Sequence, residues 1–176
     1  MTTAIVVLDV QRGLFNTSPR PYQAIEVLRH INSLTEKARA SNMPVIFMQY
    51  ESPNILPFHS EAWQLHESLQ VQAKDIVLRK PQANAFIESE LQKVLLKLQV
   101  DTLLLCGYAS EFCIDSTLRY ATTLGYQIIL VSDAHTTHDK DHLSAANIRH
   151  HHNISLSMSP VVRLIDTQAA LDHGLI

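Results

Sequence analysis

TLLLCGYASEFCIDSTLRYATTLG, residues 102–125, is the stretch that decides the fold. Thr102 to Cys106 is a continuous apolar run, the pattern of a strand covered on both faces. A short turn from Gly107 to Glu111 follows. Ile114, Leu118, Ala121 and Leu124 then recur at helical spacing, and Gly125 suits the left-handed position just past a helix end. Strand, tight turn and amphipathic helix make the first part of a βαβ unit.

The same alternation extends in both directions. Ala4-Ile5-Val6-Val7-Leu8 reads as a buried strand. After Pro19 and Pro21, Ala24, Leu28, Ile31, Leu34 and Ala38 share one helical face, and Asn42 and Pro44 stop that helix. Val45 to Met48 is a second strand. Residues from about Tyr50 to Ala73 show no periodicity and include Pro53 and Pro57; loops of such length usually carry function. Ile76 to Leu78 is a short strand. Ile87, Leu91, Val94, Leu95 and Leu98 mark a helix with Asn84 as its N-cap. Downstream, Ile128 to Val131 reads as a strand, His142 to His152 as a helix and Ile154 to Met158 as a last strand. The pattern predicts one α/β domain over 1–176. Its architecture is a three-layer α/β/α sandwich with a mostly parallel, doubly wound sheet of about six strands. Active sites of such sheets lie at the carboxyl ends of the strands.

Composition narrows the function classes. A chain of 176 residues with 46% hydrophobic and 18% charged residues has the makings of a globular core. Its formal charge of -3 and lack of a basic stripe argue against nucleic acid as a partner. No apolar run is long enough to span a bilayer, and no membrane partner is expected. No signal-like segment precedes the strand that begins at Ala4. With only Cys106 and Cys113 there is no disulfide framework, so a reducing cytoplasm is expected. Glycine-rich phosphate motifs are absent.

Three polar residues fall at predicted strand ends: Asp9, Lys80 and Cys113. Each has a plain alternative, a loop aspartate, a surface lysine beside Arg79 and a buried structural cysteine. For an intracellular cysteine alone the last is the commoner case. Cys113 nevertheless stands at a predicted helix start, where free N–H groups and the helix dipole lower a thiol pKa from about 8.5. Cys106, inside an apolar strand, reads as core.

The order of motifs shifts the balance. Ala4-Ile5-Val6-Val7-Leu8-Asp9-Val10-Gln11, Lys80-Pro81 with Asn84-Ala85-Phe86, Gly107 to Thr117, and Val131-Ser132-Asp133-Ala134 follow one another along the chain. Together they resemble the isochorismatase-like superfamily of cysteine hydrolases, which includes nicotinamidases and N-carbamoylsarcosine amidases. The resemblance runs from Ala4 to about Asn153 and implies an Asp9–Lys80–Cys113 triad. It implies a non-proline cis peptide between Tyr108 and Ala109, and an oxyanion hole formed by the N–H groups of Ala109 and Cys113. It further implies a thioester route for hydrolysis of a small amide or ureido C–N bond, with no cofactor. A small-molecule substrate and a homo-oligomer, dimer or larger, are expected on the same ground. Phe15, Trp63 and Tyr108 are expected to wall the substrate pocket, and Gln11 to orient the Asp9 loop.

The departures are informative. The nicotinamidase Asp-x-His metal motif is missing, because Gln49-Tyr50-Glu51-Ser52 stands in its place, and no metal is expected. Isochorismatases proper lack the cysteine. His135, His138, Asp139, Asp141 and His142 have spacing compatible with a metal, but they read more simply as a polar loop and helix start. His150-His151-His152 reads as the last turn of a helix, and His66 as a loop anchor or pocket residue. Two other functions remain open on the same fold: a thiol redox sensor at Cys113, and a hydrolase of another small substrate.

Overall fold

Strand β1 (Thr3–Leu8) is buried along its whole length and is the axis of the sheet. Its side chains alternate between two cores. Ala4, Val6 and Leu8 face one cluster, and Ile5 and Val7 face the other. A strand buried on both faces has no polar side to show, hence the unbroken apolar run. The computed structural model describes residues 2–172. Around β1 lie β2 (Val45–Tyr50), β3 (Ile76–Lys80), β4 (Thr102–Tyr108), β5 (Gln127–Thr136) and β6 (Val162–Ile165). They form one 6-stranded sheet in the order β3-β2-β1-β4-β5-β6. Every neighbouring pair is parallel.

The helices are α1 (Arg12–Phe15), α2 (Ala24–Ala40), α3 (Leu91–Lys97), α4 (Asp115–Thr123), α5 (Ala145–Leu156) and α6 (Thr167–Asp172). Val27, Ile31 and Leu34 of α2 pack with Ala170 of α6 on one face of the sheet. Leu91 and Leu95 of α3, Leu118 of α4 and Leu156 of α5 pack on the other. Each such aliphatic side chain stabilises the fold by about 1.5–3 kcal/mol through burial, before the entropy of ordering is subtracted. Among the described residues no helix is long and apolar enough to cross a membrane.

Strand order reverses between β1 and β4, the first going on to β2 and β3 and the second to β5 and β6. The loops leaving β1 and β4 therefore turn to opposite faces, and it is at such a reversal that sheets of this kind place their sites.

Several elements depart from the sequence reading. The helix expected from Ile87 begins only at Leu91. Asn84 does not cap it; its Oδ1 accepts the Phe86 N–H at 3.0 Å in a local turn. The helix expected at His142 starts at Ala145, where Ser144 accepts the Asn147 N–H and Asp139 accepts the Ala145 N–H at 2.7 Å. It runs on to Leu156, so His150 to His152 lie inside it, and the last strand is Val162–Ile165. Ile154, Leu156 and Met158 alternate like a strand in sequence, yet only Leu156 is buried.

The long loop between Tyr50 and Ile76 contains no regular helix or strand and is held by side chains. Arg39 grips Asp75 through Nε–Oδ1 at 3.0 Å and Nη2–Oδ2 at 2.7 Å, both side chains being buried. The Gln11 amide donates to the carbonyls of Tyr50 at 2.9 Å and Trp63 at 2.8 Å, and accepts the Tyr50 N–H at 2.9 Å. Gln11 thus ties the turn after β1 to the loop, as the sequence reading expected.

Gly107 sits in β4 with φ +118, and a Cβ there would lie 2.1 Å from the Leu8 carbonyl oxygen. That atom is backbone of the central strand and has nowhere to go. Gly107→Ala is expected to lower stability by roughly 3 kcal/mol or more, adding overpacking to an unfavourable φ. Urea unfolding measures this; a loss under about 1 kcal/mol would show that β1 and β4 separate freely.

Candidate active site

Asp9, Lys80 and Cys113 arrive from three different strand ends and meet at the carboxyl edge of the sheet. Asp9 is the first residue after β1 and has φ 54, a left-handed conformation that aspartate tolerates better than most residues. Lys80 is the last residue of β3, opposite Tyr50 in register. Pro81 follows it and cannot continue the ladder. Cys113 lies in the segment after β4, which is not the ordinary helix start expected from sequence. Ser110–Ile114 forms a wide π turn in which the Ile114 N–H reaches back to the Ala109 carbonyl at 3.0 Å, and α4 begins only at Asp115.

The three side chains are almost fully excluded from solvent: Asp9 is 1%, Lys80 0% and Cys113 3% exposed. The Lys80 ammonium stands 2.8 Å from Asp9 Oδ2 and 3.3 Å from Cys113 Sγ. It also donates to the carbonyls of Gln82 at 3.0 Å and Ala83 at 3.1 Å, and it lies 4.7 Å from the centre of the Tyr50 ring. A buried charge requires such partners, and recruiting two carbonyls just after β3 holds that segment in turns. Further along, Glu88 takes φ 52 and the Ser89 hydroxyl donates to the Ala85 carbonyl, which keeps the chain out of the helical conformation until Leu91.

Burial raises the Asp9 carboxyl above its usual range, while the Lys80 charge, and hydrogen bonds from Cys113 and Lys80, work against it. Lys80 also loses solvation, but Asp9 and Cys113 more than compensate and hold its pKa above the ordinary value. Burial and the Asp9 charge push the Cys113 thiol up, with Lys80 opposing. The sequence expectation of a depressed thiol pKa is therefore corrected. A second anion beside Asp9 in a dry site is costly, so the surroundings disfavour the Cys113 thiolate.

The Tyr108–Ala109 peptide is cis. Among the described residues the Ala109 N–H donates to no group, and the Cys113 N–H donates to none outside its own turn. Both Phe112 N–H and Ile114 N–H converge on the Ala109 carbonyl. The turn thus uses up the Ala109 carbonyl and leaves the Ala109 amide without a partner among the described residues.

Phe15 and Tyr108 meet edge to face with centroids 5.9 Å apart, and Phe15 meets His66 at 5.8 Å. Trp63 does not join them. Its ring packs on Phe58 at 5.0 Å and His59 at 5.9 Å, and its carbonyl accepts from Gln11 and from Gln49 at 3.0 Å. The Tyr108 hydroxyl is 2.7 Å from His138 Nδ1, and His138 Nε2 is 2.8 Å from the Thr17 hydroxyl. Both ring nitrogens of His138 are therefore engaged in hydrogen bonds. Among the described residues no group of three or more His, Cys, Asp or Glu is arranged to hold a metal ion. Sequence reasoning missed Tyr50, whose place at the end of β2 was the available signal, and Thr117, whose hydroxyl accepts the Ala85 N–H at 3.0 Å and ties the Lys80 segment to α4.

A doubly wound sheet with charged groups gathered where its strand order reverses is the architecture of an α/β enzyme. The isochorismatase domain model matches residues 3–164, and the chain belongs to the isochorismatase family of hydrolases. It is 30% identical over 167 residues to the uncharacterised isochorismatase family protein YecD of Escherichia coli O157:H7, covering 86% of this chain and 85% of that one. It is 28% identical over 172 residues to the ureidoacrylate amidohydrolase RutB of Azorhizobium caulinodans, covering 75% of each. A crystal structure of an isochorismatase family protein superposes with a TM-score of 0.87 at 34% identity, covering 93% of this chain and 98% of that one.

Proposed function

We propose that this hydrolase cleaves the C–N bond of a small amide or ureido substrate through a thioester on Cys113. One observation carries the reading: the Lys80 ammonium lies within hydrogen-bonding reach of both the Asp9 carboxyl and the Cys113 thiol, beside the unengaged Ala109 amide. Relatives support the bond class, since one of them is named an amidohydrolase of ureidoacrylate.

In this reading Asp9 is the ionised base, Cys113 the thiol and Lys80 the standing cation. Asp9 takes the thiol proton as Sγ bonds to the carbonyl carbon, and the carbonyl electron pair moves to oxygen. The N–H groups of Ala109 and Cys113 stabilise that oxyanion. As the C–N bond breaks, Asp9 returns the proton to the departing nitrogen. Water then attacks the thioester, Asp9 again accepts a proton, and the C–S bond breaks to restore the thiol. Lys80 keeps its charge throughout and lowers the energy of each anion in turn. A redox-sensor reading is not favoured, because oxidation selects exposed thiolates and Cys113 is a buried thiol.

The test is ammonia release from a panel of small amides and ureido compounds, with Cys113→Ala as control. Turnover by the wild type alone supports the reading, and equal turnover by Cys113→Ala overturns it.

The pH dependence is specified as well. Protonated Asp9 cannot accept the thiol proton, so kcat/KM falls as pH drops through the Asp9 pKa. Because that pKa is raised, the acid limb is expected above the ordinary carboxylate value of 3.8. Lys80, held above 10.5, stays charged across the neutral range. A pH–rate profile checks this, and an acid limb at or below 3.8 contradicts it.

A further inference from the structure

The one fully buried histidine outside the triad among the described residues is His135, and the mechanism above gives it no role. It lies near the carboxyl end of β5, opposite Gly107 in register. Two steps along β4, Leu105 to Gly107, face five along β5, Leu130 to His135. This bulge brings the histidine alongside the start of the Cys113 segment.

Its hydrogen bonds have a defined direction. Asn153 Nδ2 donates to the Ser132 carbonyl at 3.0 Å, which leaves Asn153 Oδ1 as an acceptor. Oδ1 is 2.7 Å from His135 Nε2, so Nε2 carries the hydrogen. In a neutral ring Nδ1 is then an acceptor, and the Ser110 hydroxyl, 2.8 Å away, donates to it. Burial pushes the His135 pKa down to about 4, so the neutral ring is the resting form. Ser110, itself 0% exposed, is the first residue of the π turn and directly follows Ala109.

We propose that His135 is a positioning residue for oxyanion stabilisation: anchored by Asn153, it holds the Ser110 hydroxyl and so fixes the backbone that aims the Ala109 and Cys113 amides. A π turn has looser hydrogen-bond geometry than an α-helix and gains from a side-chain anchor. A buried polar network with every member satisfied favours one backbone arrangement over its neighbours. An apolar residue at 135 would fill the space but leave the serine free to turn. The inference rests on the thioester reading.

The experiment separates the two. p-Nitrophenyl acetate is the acyl donor, since its attack by a thiol passes through an oxyanion. Iodoacetamide is the second probe, since its displacement by Cys113 forms none. In His135→Gln the amide falls where Nε2 was, which keeps Asn153 and loses Ser110. In His135→Asn the amide falls where Nδ1 was, which keeps an acceptor for Ser110. His135→Gln and Ser110→Ala are expected to lower kcat about 10- to 100-fold, the scale of a misplaced catalytic group, with KM within about threefold. Their alkylation rates are expected to stay within about twofold of wild type, and His135→Asn to recover most of the lost kcat.

Wild-type kcat in both Ser110→Ala and His135→Gln overturns the proposal. So does a parallel fall of kcat and alkylation, or a His135→Asn variant no better than His135→Gln. If the wild type releases p-nitrophenolate no faster than Cys113→Ala, the thioester reading itself has failed.

Discussion

Cys113→Ala is expected to lower kcat/KM by roughly 10⁴-fold or more while leaving the protein folded. On the proposed thioester route Sγ is the atom that forms the bond, and neither Asp9 nor Lys80 can replace it as a soft nucleophile. The two amides and the binding surface would remain, so some residual turnover above water is expected. Cys113→Ser tests the same step differently. Its hydroxyl is far harder to deprotonate than a thiol, and Asp9 as the sole base would leave the serine variant nearly inactive. The second cysteine supplies the control. Cys106 is fully buried in β4, with its thiol pushed up by burial, and faces the core cluster of Ile5 and Val7. Cys106→Ala is expected to keep wild-type turnover and to lose about 1 kcal/mol or more of stability to the cavity. Alkylation of the native protein should modify one thiol per chain and abolish activity in step. Inactivation without modification at Cys113, or full activity in Cys113→Ala, would remove the cysteine from the chemistry.

What could be read in the sequence follows a physical division. Elements fixed by local pattern were legible: the apolar runs of β1, β2 and β4, the apolar face of α2, and the glycine that ends α4. Asp9, Lys80 and Cys113 were legible singly as strand-end residues, because parallel strands place their carboxyl ends on one side of the sheet, and as a set only through the family resemblance. Features set by tertiary contacts were not. The late start of α3 goes with the left-handed Glu88 and the Ser89 hydroxyl on the Ala85 carbonyl, which apolar spacing cannot reveal. The misplaced last strand came from Ile154, Leu156 and Met158, whose period of two is also compatible with a helix that buries only Leu156. The thiol pKa was misjudged because a helix start was weighed without the burial and the neighbouring carboxylate that outweigh it. His135 looked like part of a metal-like cluster until Ser110 and Asn153 were seen on its two nitrogens.

Removing one member of the Asp9–Lys80 pair is expected to give the largest loss of stability. Both side chains are at most 1% exposed and 2.8 Å apart. Lys80→Met leaves a carboxylate buried without its counter-ion, and the expected loss is roughly 3–5 kcal/mol at neutral pH. Asp9→Leu leaves an ammonium in the same position, but two carbonyls still hold it, so a smaller loss is expected. The double variant buries no charge and should recover much of the stability while remaining inactive. The pH dependence of Lys80→Met fixes the cause. In the wild type, burial raises the Asp9 pKa and Lys80 opposes that rise. Without Lys80 the folded-state pKa climbs further above its unfolded value, so the folded state binds the proton more tightly than the unfolded chain. Stability from that protonation is present at low pH and is lost as pH rises through the folded pKa. The deficit of Lys80→Met relative to wild type should therefore shrink as the pH is lowered from about 8 toward about 5, and should vanish in magnitude faster than any general acid destabilisation shared by both proteins. Urea unfolding of the four proteins across that range measures it. A deficit independent of pH would mean that Lys80 contributes packing alone, and that Asp9 does not carry the charge on which its role as proton acceptor depends.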